Sequence, residues 1–230
     1  MKILTVIASS LLAAAVFAAD DAPLQTLADP QSALRDLQQK MSTLKSVWLE
    51  FTQERQLKIF TEPLKSEGVM LIGAPDQIRW ETTSPYQSIL LANHKSVAQF
   101  EREDGLWKKL KLGFPQMLKR VMDQMVLMNQ GKLDALMNDF TVSVATNSTV
   151  CVLTLVPKDA NVRAMLASLE VRLRPDLSAT REVVLHEPGG DFTRIIFNRE
   201  LRNVSFPADT FDQTKPLAVA TIRATLGHAP

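Results

Sequence analysis

Glu67-Gly68-Val69-Met70-Leu71-Ile72-Gly73-Ala74-Pro75-Asp76-Gln77-Ile78-Arg79-Trp80-Glu81 contains two apolar-rich runs separated by Gly-Ala-Pro-Asp. Such a separator is turn chemistry, and the runs are too short for helices, so the stretch predicts two strands folded back on each other. Downstream the same grammar repeats: Gln87 to Ala92, Ser96 to Glu101 and Leu106 to Leu110 read as strands. Their separators are Thr83-Ser84-Pro85, Asn93-His94-Lys95 and Asp104-Gly105. Upstream, Val47, Leu49 and Phe51 alternate with Trp48, Glu50 and Thr52, a period of two, and Gln56 to Phe60 is one more short candidate. Strands at this spacing predict an antiparallel meander or barrel.

Before that run the period is helical. Asp29-Pro30 offers an N-cap followed by proline at the first helical position. Leu34, Leu37, Met41, Leu44 and Trp48 then recur every three or four residues, which predicts an amphipathic helix to about Ser46. A second interruption runs from Gly113 to Phe140, where Met117, Leu118, Val121, Met122, Met125 and Met128, then Leu133, Leu136 and Met137, predict two helical pieces hinged at Gly131. Strands resume at about Thr141–Ala145, Val150–Val156, Leu169–Arg174, Arg181–Glu187 and Phe192–Asn203, with a last short piece near Phe211. Pro188-Gly189-Gly190-Asp191 forms a hairpin turn among them. No repeat or Gly-, Pro- or Ser-rich linker divides the chain. The expectation is one mainly β domain with helices: a long antiparallel sheet, curled to manage its edges, with helical insertions covering one face.

Lys2, the apolar run Ile3 to Phe17 and the small residues around Ala18 predict a secretory signal peptide over residues 1–18. The run is shorter than the roughly 20 residues a spanning helix needs. No cysteine follows the cleavage point, so lipidation there is not expected. A single domain is expected over 19–216, and the Ala-rich end, 217–230, reads as a poorly ordered, flexible tail. With 46% hydrophobic residues the chain can bury a real core, and 26 basic against 25 acidic residues leave no footprint for nucleic acid.

The common catalytic constellations are missing. Ser42-Thr43-Leu44-Lys45 fits S-x-x-K but lacks its partner motifs and lies on an ordinary helix. His94, His186 and His228 are scattered, without zinc spacing, and Cys151 sits alone in an apolar strand. No catalytic residue, metal or cofactor is expected, and the chain is read as not an enzyme. What stands out is apolar: five of nine methionines, the adaptable side chain of promiscuous binding surfaces, lie in the central insertion. Taken alone, these methionines are better explained by a helix packed into a core.

Phe51-Thr52-Gln53, Gly68 to Ile72, Pro75 with Arg79-Trp80, Pro85 and Ser88-Ile89-Leu90 together resemble the outer-membrane lipoprotein carrier family, LolA-like. Leu153 to Lys158, Asp191 to Phe197, Asn203 and Phe211 through Pro216 are similar to its C-terminal half. The resemblance implies an unclosed antiparallel β-barrel, a half-barrel covered by a helical lid. It further implies a periplasmic, monomeric carrier whose cavity holds lipoprotein acyl chains and ferries them from the inner to the outer membrane. An inner-membrane transporter complex and an outer-membrane acceptor are its implied partners. By position Ile78, Trp80 and Leu90 align with residues lining the family's cavity; Met70 is added from the same sheet region. Met117, Leu118, Met122 and Met125 are added on helical period alone as the lid face.

The chain also departs from the pattern. Ala74 stands where well-known carriers have the arginine that helps hold the lid closed, Asn93-His94-Lys95 replaces a common Asp-Gly turn, and the insertion is long and rich in Met. Two alternatives stay open: a carrier of another lipid, such as a glycolipid or polyene lipid, and a periplasmic lipid-sensing module that binds without transporting.

Overall fold

The computed structural model describes residues 22–73, 75–112, 127 and 131–226. Twelve strands form one sheet, antiparallel throughout: β1 (Gln25–Thr26), β2 (Val47–Gln56), β3 (Leu64–Gly73), β4 (Gln77–Ser84), β5 (Ser88–Ala92), β6 (Val97–Glu103), β7 (Leu106–Lys109), β8 (Phe140–Thr146), β9 (Cys151–Pro157), β10 (Ser168–Leu173), β11 (Thr180–His186) and β12 (Phe192–Arg202). Their order is β1-β8-β9-β10-β11-β12-β2-β3-β4-β5-β6-β7. β1 and β7 do not pair, so the sheet is not closed into a barrel. The long strands β2 and β12 meet at its centre and join two meanders, one from each half of the chain.

Among the described residues, helices α1 (Pro30–Met41), α2 (Leu133–Asp139), α3 (Ala160–Arg163) and α4 (Val219–Thr225) accompany the sheet. Asp29 caps α1 as its sequence predicts, its Oδ1 accepting from the Gln31 N–H at 2.9 Å, with Pro30 in the first turn. The helix stops at Met41, earlier than the apolar period suggests. Trp48 continues that period only by coincidence: it belongs to β2 and points to the opposite face from α1. At the α1–β2 junction, Asn203, in the left-handed region at φ 53°, accepts from the Lys45 N–H at 2.9 Å. Its own N–H donates to the Ser46 carbonyl at 2.7 Å, tying the start of β2 to the end of β12.

Leu34 and Leu37 of α1 pack with Leu133 and Leu136 of α2 on Val144, Leu153, Leu155, Val171 and Leu173. This inner, helix-covered face continues across β12 and β2 into Val47, Leu49, Phe51, Met70, Ile72, Ile78 and Ala92. Apolar burial at roughly 25 cal/mol per Å² is what holds helices and sheet together here. Gly131 sits beside α1 at φ +68°, and a Cβ there would lie 2.5 Å from the Gln38 carbonyl oxygen. Only glycine allows both the backbone turn and this approach. The Lys132 N–H bonds to the Leu127 carbonyl at 2.9 Å, beside this left-handed glycine.

The outer face changes character along the sheet, with a separate apolar cluster of Ile89, Leu91, Ala98 and Phe100 on β5 and β6. Over β10 to β12 it is a charged ladder, with Arg194 donating to both carboxylate oxygens of Glu182 (2.9 and 3.0 Å) and Arg172 beside Glu170. Over β2 to β4 it is apolar and covered. Trp48, Val69 and Leu71 lie under the segment after β12, which contributes Phe206, Phe211, Leu217, Val219 and Ile222. The expectation of a poorly ordered tail therefore fails for residues 217–226: Ile222 is 0% exposed, anchored by the apolar face it covers. The short strand expected near Phe211 is a 3-10 turn, Ala208–Phe211, and of the strand expected over Gln56 to Phe60 only Gln56 is in a strand, as the end of β2; the rest is the loop between β2 and β3.

Candidate functional site

Alternation along β2 to β5 sends Leu49, Met70, Trp80 and Leu90 to the inner face. The register makes them a single row, since Leu49 pairs with Met70, Met70 with Trp80 and Trp80 with Leu90. A second row, Val47, Ile72, Ile78 and Ala92, runs beside it. The sequence-derived residues Met70, Ile78, Trp80 and Leu90 thus share one apolar cluster, joined by Leu44, Val97, Leu185 and Phe197. Trp80 leans on Phe51, ring centroids 4.8 Å apart and tilted by 47°. Met70 and Ile78 are buried, at 3% and 0% exposure, while Trp80 and Leu90 are half-buried.

No charged side chain belongs to these two rows, so the surface offers dispersion and desolvation but no acid, base or nucleophile. Met117, Leu118, Met122 and Met125, assigned to the lid by period alone, and Ala74 lie outside the described residues. The space between the end of α1 and the sheet, lined by Leu37, Met41, Leu44, Val47, Leu49 and Leu173 among others, is a void of about 50 Å³. Ligand pockets hold roughly 300–1,000 Å³.

The remaining chemical candidates dissolve into structure. The Ser42 hydroxyl donates to the Gln39 carbonyl at 2.8 Å, an ordinary helix-end bond. Cys151 is buried, and burial pushes its thiol up, away from the thiolate a nucleophile needs. His94 pairs with Asp76 in a turn, and His186 lies 3.4 Å from Glu170 on the outer ladder. Among the described residues no three His, Cys, Asp or Glu side chains gather as a metal site would require.

One polar site escapes sequence reasoning. Arg79 and Glu81, two apart on β4, face outward beneath the C-terminal segment, Arg79 fully buried and Glu81 nearly so. The Arg79 Nε donates to Glu81 Oε2 at 2.9 Å, its Nη1 to the Thr210 carbonyl at 3.0 Å and its Nη2 to the Leu217 carbonyl. Burial pushes the Glu81 carboxyl up and the Arg79 guanidinium down, each opposed by its partner's charge; the Val219 N–H also supports the Glu81 carboxylate. The pair latches the segment over the outer face, opposite the apolar rows. Arg and Glu two apart on a strand reveal only that they share a face, because what buries them arrives from about 130 residues away in sequence.

No curated protein matches this chain in sequence. Similar solved structures include a LolA superfamily protein from Nitrosomonas europaea (9% identity, 80% of this chain and 98% of that one, TM-score 0.43). They also include the Pseudomonas aeruginosa MucA/MucB complex (13%, 80% and 61%, 0.43) and the Mycobacterium tuberculosis lipoprotein LppX (10%, 79% and 100%, 0.45). The family model for the outer membrane lipoprotein carrier protein LolA matches residues 42–214, from the end of α1 to beyond the 3-10 turn. That match spans the greater part of the 230-residue sequence and includes both apolar rows, and by it the chain belongs to the LolA family.

Proposed function

We propose that this protein is a periplasmic carrier that takes the acyl chains of lipoproteins against the inner face of its half-barrel and ferries them from the inner to the outer membrane. The observation that carries the reading is the in-register apolar row Leu49–Met70–Trp80–Leu90, beside a second apolar row, in a chain of the LolA family. The physics of the task fits that surface. An acyl chain is worth about 0.8 kcal/mol per methylene, so sixteen carbons are held in a bilayer by roughly 12 kcal/mol, and free diffusion through water is closed to it. A carrier must replace most of that contact without a bond being made or broken. A face built from two apolar rows supplies it by direct contact with the chain.

Family membership supports binding rather than catalysis. The implied inner-membrane transporter complex and outer-membrane acceptor are the partners such a cycle needs, and a monomer leaves both encounters unobstructed. Incubating the protein with acylated lipoprotein in inner-membrane vesicles, and then with outer-membrane vesicles, tests the reading. A soluble one-to-one complex that gives up its lipoprotein to the second membrane is the expected result. Uptake of a non-protein lipid alone moves the cargo to that class, binding without delivery marks a sensor, and failure to bind either overturns the proposal.

A further inference from the structure

Antiparallel pairing throughout places the ends of β2, β4, β6, β9 and β11, and the starts of β3, β5, β7, β10 and β12, along one edge of the sheet. Eight large hydrophobic side chains are exposed among the described residues. Six of them, Ile59, Phe60, Leu64, Tyr86, Leu106 and Met165, sit in connections or first strand positions on that edge. Only Leu24 lies at the opposite edge. Exposed apolar residues scattered singly need no account, but a set confined to one edge does.

The most prominent tip is braced. The turn Leu57–Phe60 is closed by the Phe60 N–H on the Leu57 carbonyl at 2.9 Å. The Gln56 side-chain amide donates to the carbonyls of Leu57 (3.1 Å) and Phe60 (2.8 Å), and the Lys58 N–H donates to Asp191 Oδ1 at 2.8 Å in the neighbouring hairpin. Ile59 is thereby held at the apex with 82% of its surface in water instead of folding back. Three ion pairs lie on the same edge: Arg55 with Glu187 at 3.2 Å, Lys65 with Glu54 at 3.2 Å and Lys108 with Glu103 at 2.5 Å.

We propose that this edge docks on the surface of a lipid bilayer, its apolar tips entering the headgroup region with Ile59 and Phe60 leading. A protein partner would call for a compact apolar centre with a polar rim. Here the tips run from the β9–β10 connection to β7, nine strand steps, or roughly 40 Å at about 4.8 Å each. A flat bilayer meets such a row of separated points, and the headgroup and acyl boundary is some 5–10 Å deep, which suits side chains at loop tips. The docking is distinct from cargo capture and does not depend on it: the tips lie on the edge, the apolar rows on the inner face.

Flotation with vesicles of phosphatidylcholine and phosphatidylethanolamine tests it. The folded protein is expected to float. The double substitution Ile59→Glu/Phe60→Glu should lower its partition at least tenfold, whereas Leu24→Glu and Trp80→Ala leave it unchanged and added salt changes it little. These tip residues lie outside the core, so an unaltered thermal midpoint confirms that the double variant is folded. Absence of flotation, equal loss with Leu24→Glu, or release by salt would overturn the proposal. A protein that floats but carries no cargo leaves the docking standing and removes the carrier reading.

Discussion

Replacing Arg79 by Met removes the cation from a pocket that leaves neither Arg79 nor Glu81 meaningful access to water. Glu81 then keeps the Val219 N–H and the more distant charge of Arg102, and the carbonyls of Thr210 and Leu217 lose their donor. Removing one member of a buried pair costs about 3–5 kcal/mol, because a charge is left uncompensated, whereas removing both is close to neutral. Arg79→Met should therefore lower the free energy of unfolding in urea by about that amount, and Arg79→Met/Glu81→Met should recover most of it. The loss also depends on pH. Burial already raises the Glu81 carboxyl, and without Arg79 it rises further. A carboxyl with a folded pKa above its unfolded value of about 4.3 contributes stability below that value, and the contribution is lost as pH rises through the folded pKa. The single variant should accordingly be closer to the unsubstituted protein at pH 5 than at pH 8. A destabilisation under about 1 kcal/mol, or one that grows toward acid pH, would refute the latch.

The C-terminal segment yields a second expectation: Ile222→Ala, at a fully buried position, should cost about 2–5 kcal/mol in urea unfolding and raise amide exchange over residues 208–226. Gly131→Ala places a methyl 2.5 Å from the Gln38 carbonyl oxygen at φ +68°, and should lower the thermal midpoint while loosening α1, read by exchange at Leu34 and Leu37. Cys151, buried and with its thiol pushed up, should stay unreactive toward a thiol reagent in native buffer and react fully in denaturant.

Much of the sheet is legible in the sequence because its signals are local. Period-two runs between Gly, Pro, Asn and Asp turns mark β3 to β12, whereas the choice of Ile78, Trp80 and Leu90 rests on the family resemblance and that of Met70 on its place in the sheet; the strand register brings the four onto one face. Failures occur where distant segments decide. Trp48 fits the helical period of α1, yet Leu71, Ile222 and the chain around them claim it for the outer face. Residues 217–226 look structureless because their period is weak; the apolar face they cover supplies what local propensity lacks. The apolar edge is likewise hidden in sequence, since Ile59, Tyr86, Leu106 and Met165 become neighbours on one border only through the strand order.

Trp80 allows the central claim to be tested with one probe. Of the three tryptophans it alone faces the apolar rows; Trp48 lies under the C-terminal segment and Trp107 joins the outer-face cluster of Phe100. A brominated fatty acid, added below the concentration at which it aggregates, should quench part of the protein's fluorescence, and that part should vanish in Trp80→Phe. Quenching that survives the substitution, or none at saturating ligand, would contradict an acyl chain on the inner face.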